Sequence, residues 1–222
     1  MTDLRRKNRV HDKVRRAIIP WDIMGLVLVE KATSEMALDP KTRLLIFKML
    51  NNAVLEAVNG IVSSGKEAVV FHAQGGEMED GPLPEDCAVK VFKTTLTDFK
   101  TRERYIREDY RFKDRLSKSN SQKLIRLWAE KEYHNLRRLH RASIPSPKPV
   151  LIKKHILVMS FIGADHMPAP KLKEARLSKA ELCVAYEQVV ELVHAEYHEY
   201  QHSSALTSLF GVLEMWTDSS IG

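Results

Sequence analysis

Gly60-Ile61-Val62-Ser63-Ser64-Gly65-Lys66-Glu67-Ala68-Val69-Val70-Phe71-His72-Ala73 is the stretch on which the fold turns. A short β-forming run enters a turn of serine, glycine and charge, and a second, longer run leaves it. That is the pattern of a strand, a tight loop and an antiparallel return. Cys87-Ala88-Val89-Lys90-Val91-Phe92 supplies a third strand, so residues 60–92 are predicted to form a three-stranded antiparallel unit with Lys90 on its last strand. Between the second and third strands, Gly75-Gly76-Glu77-Met78-Glu79-Asp80-Gly81-Pro82 reads as an acidic loop without regular structure.

Working outward, Asp39-Pro40-Lys41 is a helix start, because Asp can cap free amides and Pro suits the first helical position. Leu44, Leu45, Met49, Leu50, Leu55 and Val58 share one broad helical stripe, so this helix is expected to end at Asn59-Gly60. Residues 1–38 read as a basic, mostly disordered tail. On the other side, helices are expected from Thr97 to about Leu116 and from Ser121 to Arg141. Ile144-Pro145-Ser146-Pro147-Lys148-Pro149 is an extended connector. Val150–Ile152 and His155–Ser160 form a hairpin, a Pro-broken loop follows Gly163, and a last helix runs from Ser178 to about Glu199. The class is α+β.

Composition narrows the function. The chain has 222 residues, 44% hydrophobic and 29% charged, which suits one compact domain with a tail or two small lobes. Two cysteines, Cys87 and Cys183, make neither a disulfide framework nor a zinc site, and a reducing, cytoplasmic setting is expected. No apolar run reaches the roughly 18 residues of a membrane helix, and no segment suits a signal peptide. The net charge of +6 is uneven: Lys100 to Arg141 holds fourteen Lys/Arg against six Asp/Glu. Such a block can meet phosphates on a nucleotide or a nucleic acid, or can simply be two solvated helices.

Gly60 to Glu67 nearly spells a phosphate-binding G-x-x-x-x-G-K-[ST] loop. Its last position, Glu67, cannot give the hydroxyl that holds magnesium, and strand rather than helix follows, so that reading is rejected. A strand–turn–strand with a Gly/Ser apex instead matches the glycine-rich cover over nucleotide phosphates in protein kinases, although a plain hairpin looks the same. Lys90 behind it stands where kinases keep a phosphate-binding lysine, held by a helix glutamate. Glu130 and Glu132 are both candidates for that partner, and they cannot face the same way. Ile156 to Ile162 is a buried strand running into Gly163, as in the hinge between two kinase lobes.

These segments carry a resemblance. Ser63 to Glu67, Ala88 to Thr94, Arg111-Phe112, Trp128 to Glu132 with Asn135-Leu136, Ile144-Pro145, Leu157 to Gly163 and Met167 to Leu172 together resemble the RIO family of atypical protein kinases. The acidic insert and Lys153-Lys154-His155-Ile156-Leu157-Val158-Met159 are similar to its third animal subfamily. The likeness spans about Asp39 to Glu199. It implies a kinase-like N-lobe and hinge over residues 39–163, the first helix of a C-lobe over 164–200, and a divergent tail over 201–222. It also implies an ATP site. Val62, Ser63, Ser64, Gly65, Lys66, Glu67 and Val70 would cover the phosphates, and Lys90 would bind them while paired with Glu132. Met159 would be the gatekeeper, with the Ser160 carbonyl and the Ile162 amide on adenine. Thr94 to Arg115 would be the family's flexible loop. Magnesium is expected as a cofactor, and maturing small ribosomal subunits or RNA as partners beside an unknown protein substrate.

The resemblance falters at the catalytic loop. A kinase needs an aspartate to accept the substrate's proton, a nearby asparagine and a second aspartate for magnesium. Leu192 to Gln201 is a decoy in which Glu196 and Gln201 would replace the first two. The better alignment takes Ala185 to Glu199 as the helix before the loop, leaving His202 to Ser208 with no motif and only Asp218 beyond. No catalytic or metal residue is therefore identified, and the expected product is a truncated kinase that binds nucleotide without transferring phosphate. A non-catalytic nucleotide-binding adaptor and an RNA-binding module are the alternatives.

Overall fold

The structure, a computed structural model, describes residues 38–94, 106, 109, 111–112, 115, 121–171 and 174–199, with positions 121, 193 and 195–199 described by backbone alone. The expectations for 1–37, for 201–222 and for most of the 97–116 helix lie outside the described residues.

The first helix, α1 (Pro40–Asn51), starts as its sequence requires. The Asp39 carboxylate accepts the N–H groups of Lys41 and Thr42 at 3.0 and 3.1 Å. Losing such a cap costs about 1 kcal/mol. The helix then stops well short of the predicted Asn59-Gly60. Ala53 adopts φ 55°, the Ala53 N–H donates to Leu50 O at 3.0 Å and the Val54 N–H to Met49 O at 2.9 Å, which closes the helix end. Leu55 and Val58 belong to the following strand, and Leu44 is 42% exposed. The left-handed Ala53 costs about 1–2 kcal/mol. It is held there by the chain of Gly76 and Glu77, whose N–H groups donate to Val54 O and Ala53 O at 3.0 and 2.8 Å. A Cβ on Gly76 would lie 2.0 Å from Ala53 O, so this crossing demands glycine.

The strands in chain order are β1 (Leu55–Ser64), β2 (Ala68–Gly75), β3 (Glu77–Met78), β4 (Gly81–Pro82), β5 (Asp86–Phe92), β6 (Pro149–Lys153), β7 (Ile156–Ser160), β8 (Gly163–Ala164) and β9 (Met167–Pro168). Five of them form one antiparallel sheet in the order β1-β2-β5-β7-β6. The expected three-stranded unit and the β6–β7 hairpin are both present. Two stretches read as irregular are small hairpins instead: β3–β4 lies in the acidic insert and β8–β9 follows the hinge. Each has two-residue strands, too short for alternation to register in a sequence.

Alternation in the long strands gives the sheet two apolar faces. Val69, Phe71, Val89 and Val158 pack toward α1, beneath Ile46 and Met49. Ala68, Ala88, Phe92, Leu157 and Met159 face the other way, onto the second helix, α2 (Ser121–Arg141), through Ile125, Leu127 and Leu136. Burying each large side chain of this kind contributes about 1.5–3 kcal/mol. The sheet is thus filled on both sides, and any polar group on its α2 face needs a partner.

The third helix, α3 (Lys179–Glu199), opens with a capping box in which Glu181 Oε2 accepts from the Ser178 N–H and hydroxyl at 2.8 and 2.7 Å. Leu192 packs against the α2-side core, whereas Leu182, Val184 and Tyr186 are exposed at 54%, 53% and 70%. Among the described residues no helix is long and apolar enough to cross a membrane.

Candidate functional site

Lys90 projects from β5 onto the α2 face of the sheet, with Val70 opposite it on β2 and Leu157 on β7. Its ammonium donates to both oxygens of Glu132, at 2.8 and 3.0 Å. The two side chains are only 14% and 21% exposed, so the pair is partly desolvated and is not a freely solvated surface contact. Glu130 goes elsewhere, to Arg115 at 2.7 Å and His134 at 3.9 Å. Two residues along a helix are about 200° apart, so only one of the two could reach Lys90. The alternative left open by the sequence is settled in favour of Glu132.

Around this pair the structure gathers the other predicted residues. Ala88 and Met159 are cross-strand neighbours on the same face, and Met159 is fully buried. Ser160 follows, its N–H donating to Lys148 O at 2.8 Å, and Ile162 is 38% exposed beyond it. Across the sheet, Ser63 and Ser64 end β1 and are exposed, with Val62 and Val70 half-buried behind them. Gly65 closes the turn by donating to Ala68 O at 2.9 Å, Lys66 is exposed, and Glu67 O accepts the Lys93 N–H at 2.8 Å. A Cβ at Gly65 would meet nothing nearer than Ala68 O at 3.8 Å. The fold tolerates a side chain there, so the glycine leaves open a close approach to the backbone. Glu196 lies within the continuous α3 helix, its side chain outside the described set.

The sequence reading missed the support beside Glu132. Asp109, 2% exposed, accepts from Arg111 Nε and Nη2 at 2.9 and 2.6 Å and from the Arg111 N–H at 3.1 Å, with Lys131 Nζ at 3.7 Å. Arg111 also donates to Asn135 Oδ1 at 3.0 Å. Burial works to raise the Asp109 pKa, but the Arg111 hydrogen bonds and the charges of Arg111 and Lys131 outweigh it and hold the carboxyl below its ordinary value. The clue was Asp109 two residues before Arg111 in a local fork, which spacing alone does not separate from solvated charge.

Residues 69–206 match the RIO domain, well over half of the chain. The chain belongs to the RIO family. It is 53% identical over 205 residues to the serine/threonine-protein kinase RIO3 of Bos taurus and to that of Homo sapiens, covering 89% of this chain and 40% of each relative. It is 40% identical over 209 residues to the serine/threonine-protein kinase rio1 of Dictyostelium discoideum, covering 93% of this chain and 35% of that one. The chain therefore spans about 40% of the length of the RIO3 relatives it matches. Among solved structures it is similar to the Rio2 kinase–ADP/Mg2+–phosphoaspartate complex from Chaetomium thermophilum, with a TM-score of 0.45 at 19% identity, over 67% of this chain and 39% of that one.

In this RIO-family chain the donor set fits an anionic nucleotide. A lysine ammonium has three N–H groups, and two of them go to Glu132. The third can meet a phosphate oxygen at the sheet end where the Ser63–Gly65 turn leaves its backbone approachable. The apolar Ala88 and Met159 side chains offer a surface suited to a flat base. The fit for magnesium is poorer: among the described residues, one group of three side chains could hold a metal ion, and it contains neither Lys90 nor Glu132.

Proposed function

We propose that this chain is the nucleotide-binding lobe of a RIO-type serine/threonine kinase, taking ATP between the Ser63–Gly65 turn, the Ala88 and Met159 side chains, and Lys90. The observation that carries the proposal is the bidentate Lys90–Glu132 pair, 14% and 21% exposed, set among the apolar Val70, Ala88 and Leu157 side chains of the sheet. A hydrophobic residue would pack better at that position, and a desolvated pair is weak evidence for stability, so a ligand is the better account of it. In this reading Lys90 binds the α- and β-phosphates, Glu132 fixes its direction, Ser63 and Ser64 lie along the phosphates, and the Ser160 carbonyl and Ile162 amide meet adenine. Bound magnesium would neutralise phosphate charge, and this chain's residues are assigned no part in holding it.

Phosphoryl transfer is a separate matter. The continuous helix through Glu199 supports taking Leu192 to Glu199 as the element before a catalytic loop and Glu196 as a helical residue. The remaining sequence to Gly222 has Asp218 as its only aspartate. The 222-residue polypeptide is therefore proposed to bind nucleotide without transferring phosphate. RNA binding is less favoured, because Arg111, Arg115 and Lys131 of the basic block are engaged with Asp109 and Glu130.

Titration with a fluorescent ADP or ATP analogue tests the proposal. Binding should weaken at least tenfold in Lys90→Met, and radiolabelled γ-phosphate should stay on the nucleotide. Equal affinity in Lys90→Met would overturn the nucleotide site. Turnover abolished by Glu196→Gln would overturn the alignment and the absence of phosphate transfer, and would leave the nucleotide site standing.

A further inference from the structure

His72, Asp86 and His166 come from three separate elements, and one ligand atom of each lies within 4.8 Å of the other two. His72 is on β2 and 2% exposed, Asp86 opens β5, and His166 sits in the turn of the β8–β9 hairpin. His72 Nε2 is 2.8 Å from Asp86 Oδ1. Asp165 and His166 both have positive φ, 50° and 62°, the geometry of a two-residue hairpin turn. The turn brings the His166 ring to 4.5 Å from that of His72, between centroids. We propose that these three residues form a binding site for a zinc-class divalent cation, which staples the hairpin after the hinge onto the sheet.

The chemistry selects the ion. Two imidazoles and one carboxylate suit zinc with a water in the fourth position, whereas magnesium and calcium want shells of oxygen. Tetrahedral bonds of about 2.0–2.2 Å place ligand atoms roughly 3.4 Å apart. The His72–Asp86 distance of 2.8 Å must open slightly, and His166, on an exposed turn with its ligand atom within 4.8 Å of the others, needs to close by at most roughly 1.4 Å.

The far side of the His72 ring has a partner as well. A histidine that binds metal through Nε2 carries its proton on Nδ1 and needs an acceptor there. Asn59 stands at that position, its amide nitrogen 2.9 Å from His72 Nδ1. Without metal, Nε2–H donates to Asp86 and the amide donates to Nδ1. With metal, turning the amide over presents Oδ1 to Nδ1–H, so the buried ring keeps two partners in both states. The Phe161 ring stands nearly perpendicular to that of His72, with centroids 4.7 Å apart at 83°, and packs against it.

The test is titration of the purified 222-residue chain with zinc chloride, followed by calorimetry, and with cobalt chloride, followed by its visible spectrum. One equivalent should bind, with the intense cobalt bands of a tetrahedral site. His166→Ala, on an exposed turn, should weaken zinc at least tenfold, and Asp86→Asn should do the same. Cys183→Ser should change nothing. Unaltered affinity in both ligand variants overturns the proposal, as does loss of binding with Cys183→Ser, equal preference for magnesium, or an octahedral cobalt spectrum.

Discussion

Replacing Asp109 by Asn tests whether the segment around Arg111 holds α2 in place. The substitution keeps shape and removes one charge from a site that is 2% exposed. Arg111 and Lys131 are then left facing each other, the lysine 4% and the arginine 20% exposed. Breaking a buried pair by removing one partner costs about 3–5 kcal/mol. The partial exposure of Arg111, and its second bond to Asn135 at 3.0 Å, lower the expected cost to about 3 kcal/mol. With a urea slope of about 2 kcal/mol per molar, the unfolding midpoint should fall by roughly 1.5 M with little change in slope. Arg115→Gln is the contrast. Its ion pair with Glu130 is 50% exposed on the arginine side, and its loss should cost under about 1 kcal/mol. The sign of the pH effect follows from the depressed Asp109 pKa: the stabilisation is complete above the ordinary carboxyl range and is lost as pH falls through the lowered folded value. Asp109→Asn should flatten that acid limb. A midpoint shift no larger than that of Arg115→Gln, with the fold intact, would refute the claim that this carboxylate organises the cations around Glu132.

Burial, opposed by the Asp39 charge, lowers the His155 pKa, while Thr42 Oγ1 sits 2.7 Å from its Nε2. The unfolded chain therefore takes up this proton first, so melting temperature should fall as pH drops below about 6.5. His155→Gln should reduce that slope, and identical profiles for the two proteins would contradict the assignment. Cys87 is fully buried and its pKa is pushed up to about 11 by burial and the neighbouring Asp86, whereas Cys183 is exposed. A thiol-reactive chromophore should react with one cysteine in the native chain and with both in denaturant; two rapid equivalents before unfolding would mean that the core is open. Gly65→Ala should leave the melting temperature within a few degrees, since the added Cβ meets only Ala68 O at 3.8 Å, yet should weaken nucleotide binding severalfold. Unchanged nucleotide affinity would remove the turn from the site.

The elements legible in the sequence were those whose pattern is settled within the element. Val69, Phe71 and Ala73 alternate with Ala68, Val70 and His72, and the register of β2 follows whatever lies across from it. The end of α1 was illegible for the opposite reason. Leu55 and Val58 suit a helical stripe and a strand equally, and the choice is made by Gly76, more than twenty residues later, whose backbone presses on Ala53. The same distinction runs through the candidate site. Lys90 could be placed on its strand, and the resemblance named Glu132 as its partner, but the residues alone left Glu130 equally open until the packing of α2 on the sheet turned Glu132 toward the lysine. Asp109 is silent locally because a buried carboxylate and a solvated one have the same neighbours in sequence. The His72, Asp86 and His166 group is the extreme case, since two hairpins and a sheet must form before the three side chains approach one another. Strand and helix patterning thus announces where a nucleotide could lie. The charges that orient its lysine, and the histidines that would tie down the hinge, become visible only when the sheet has brought distant turns together.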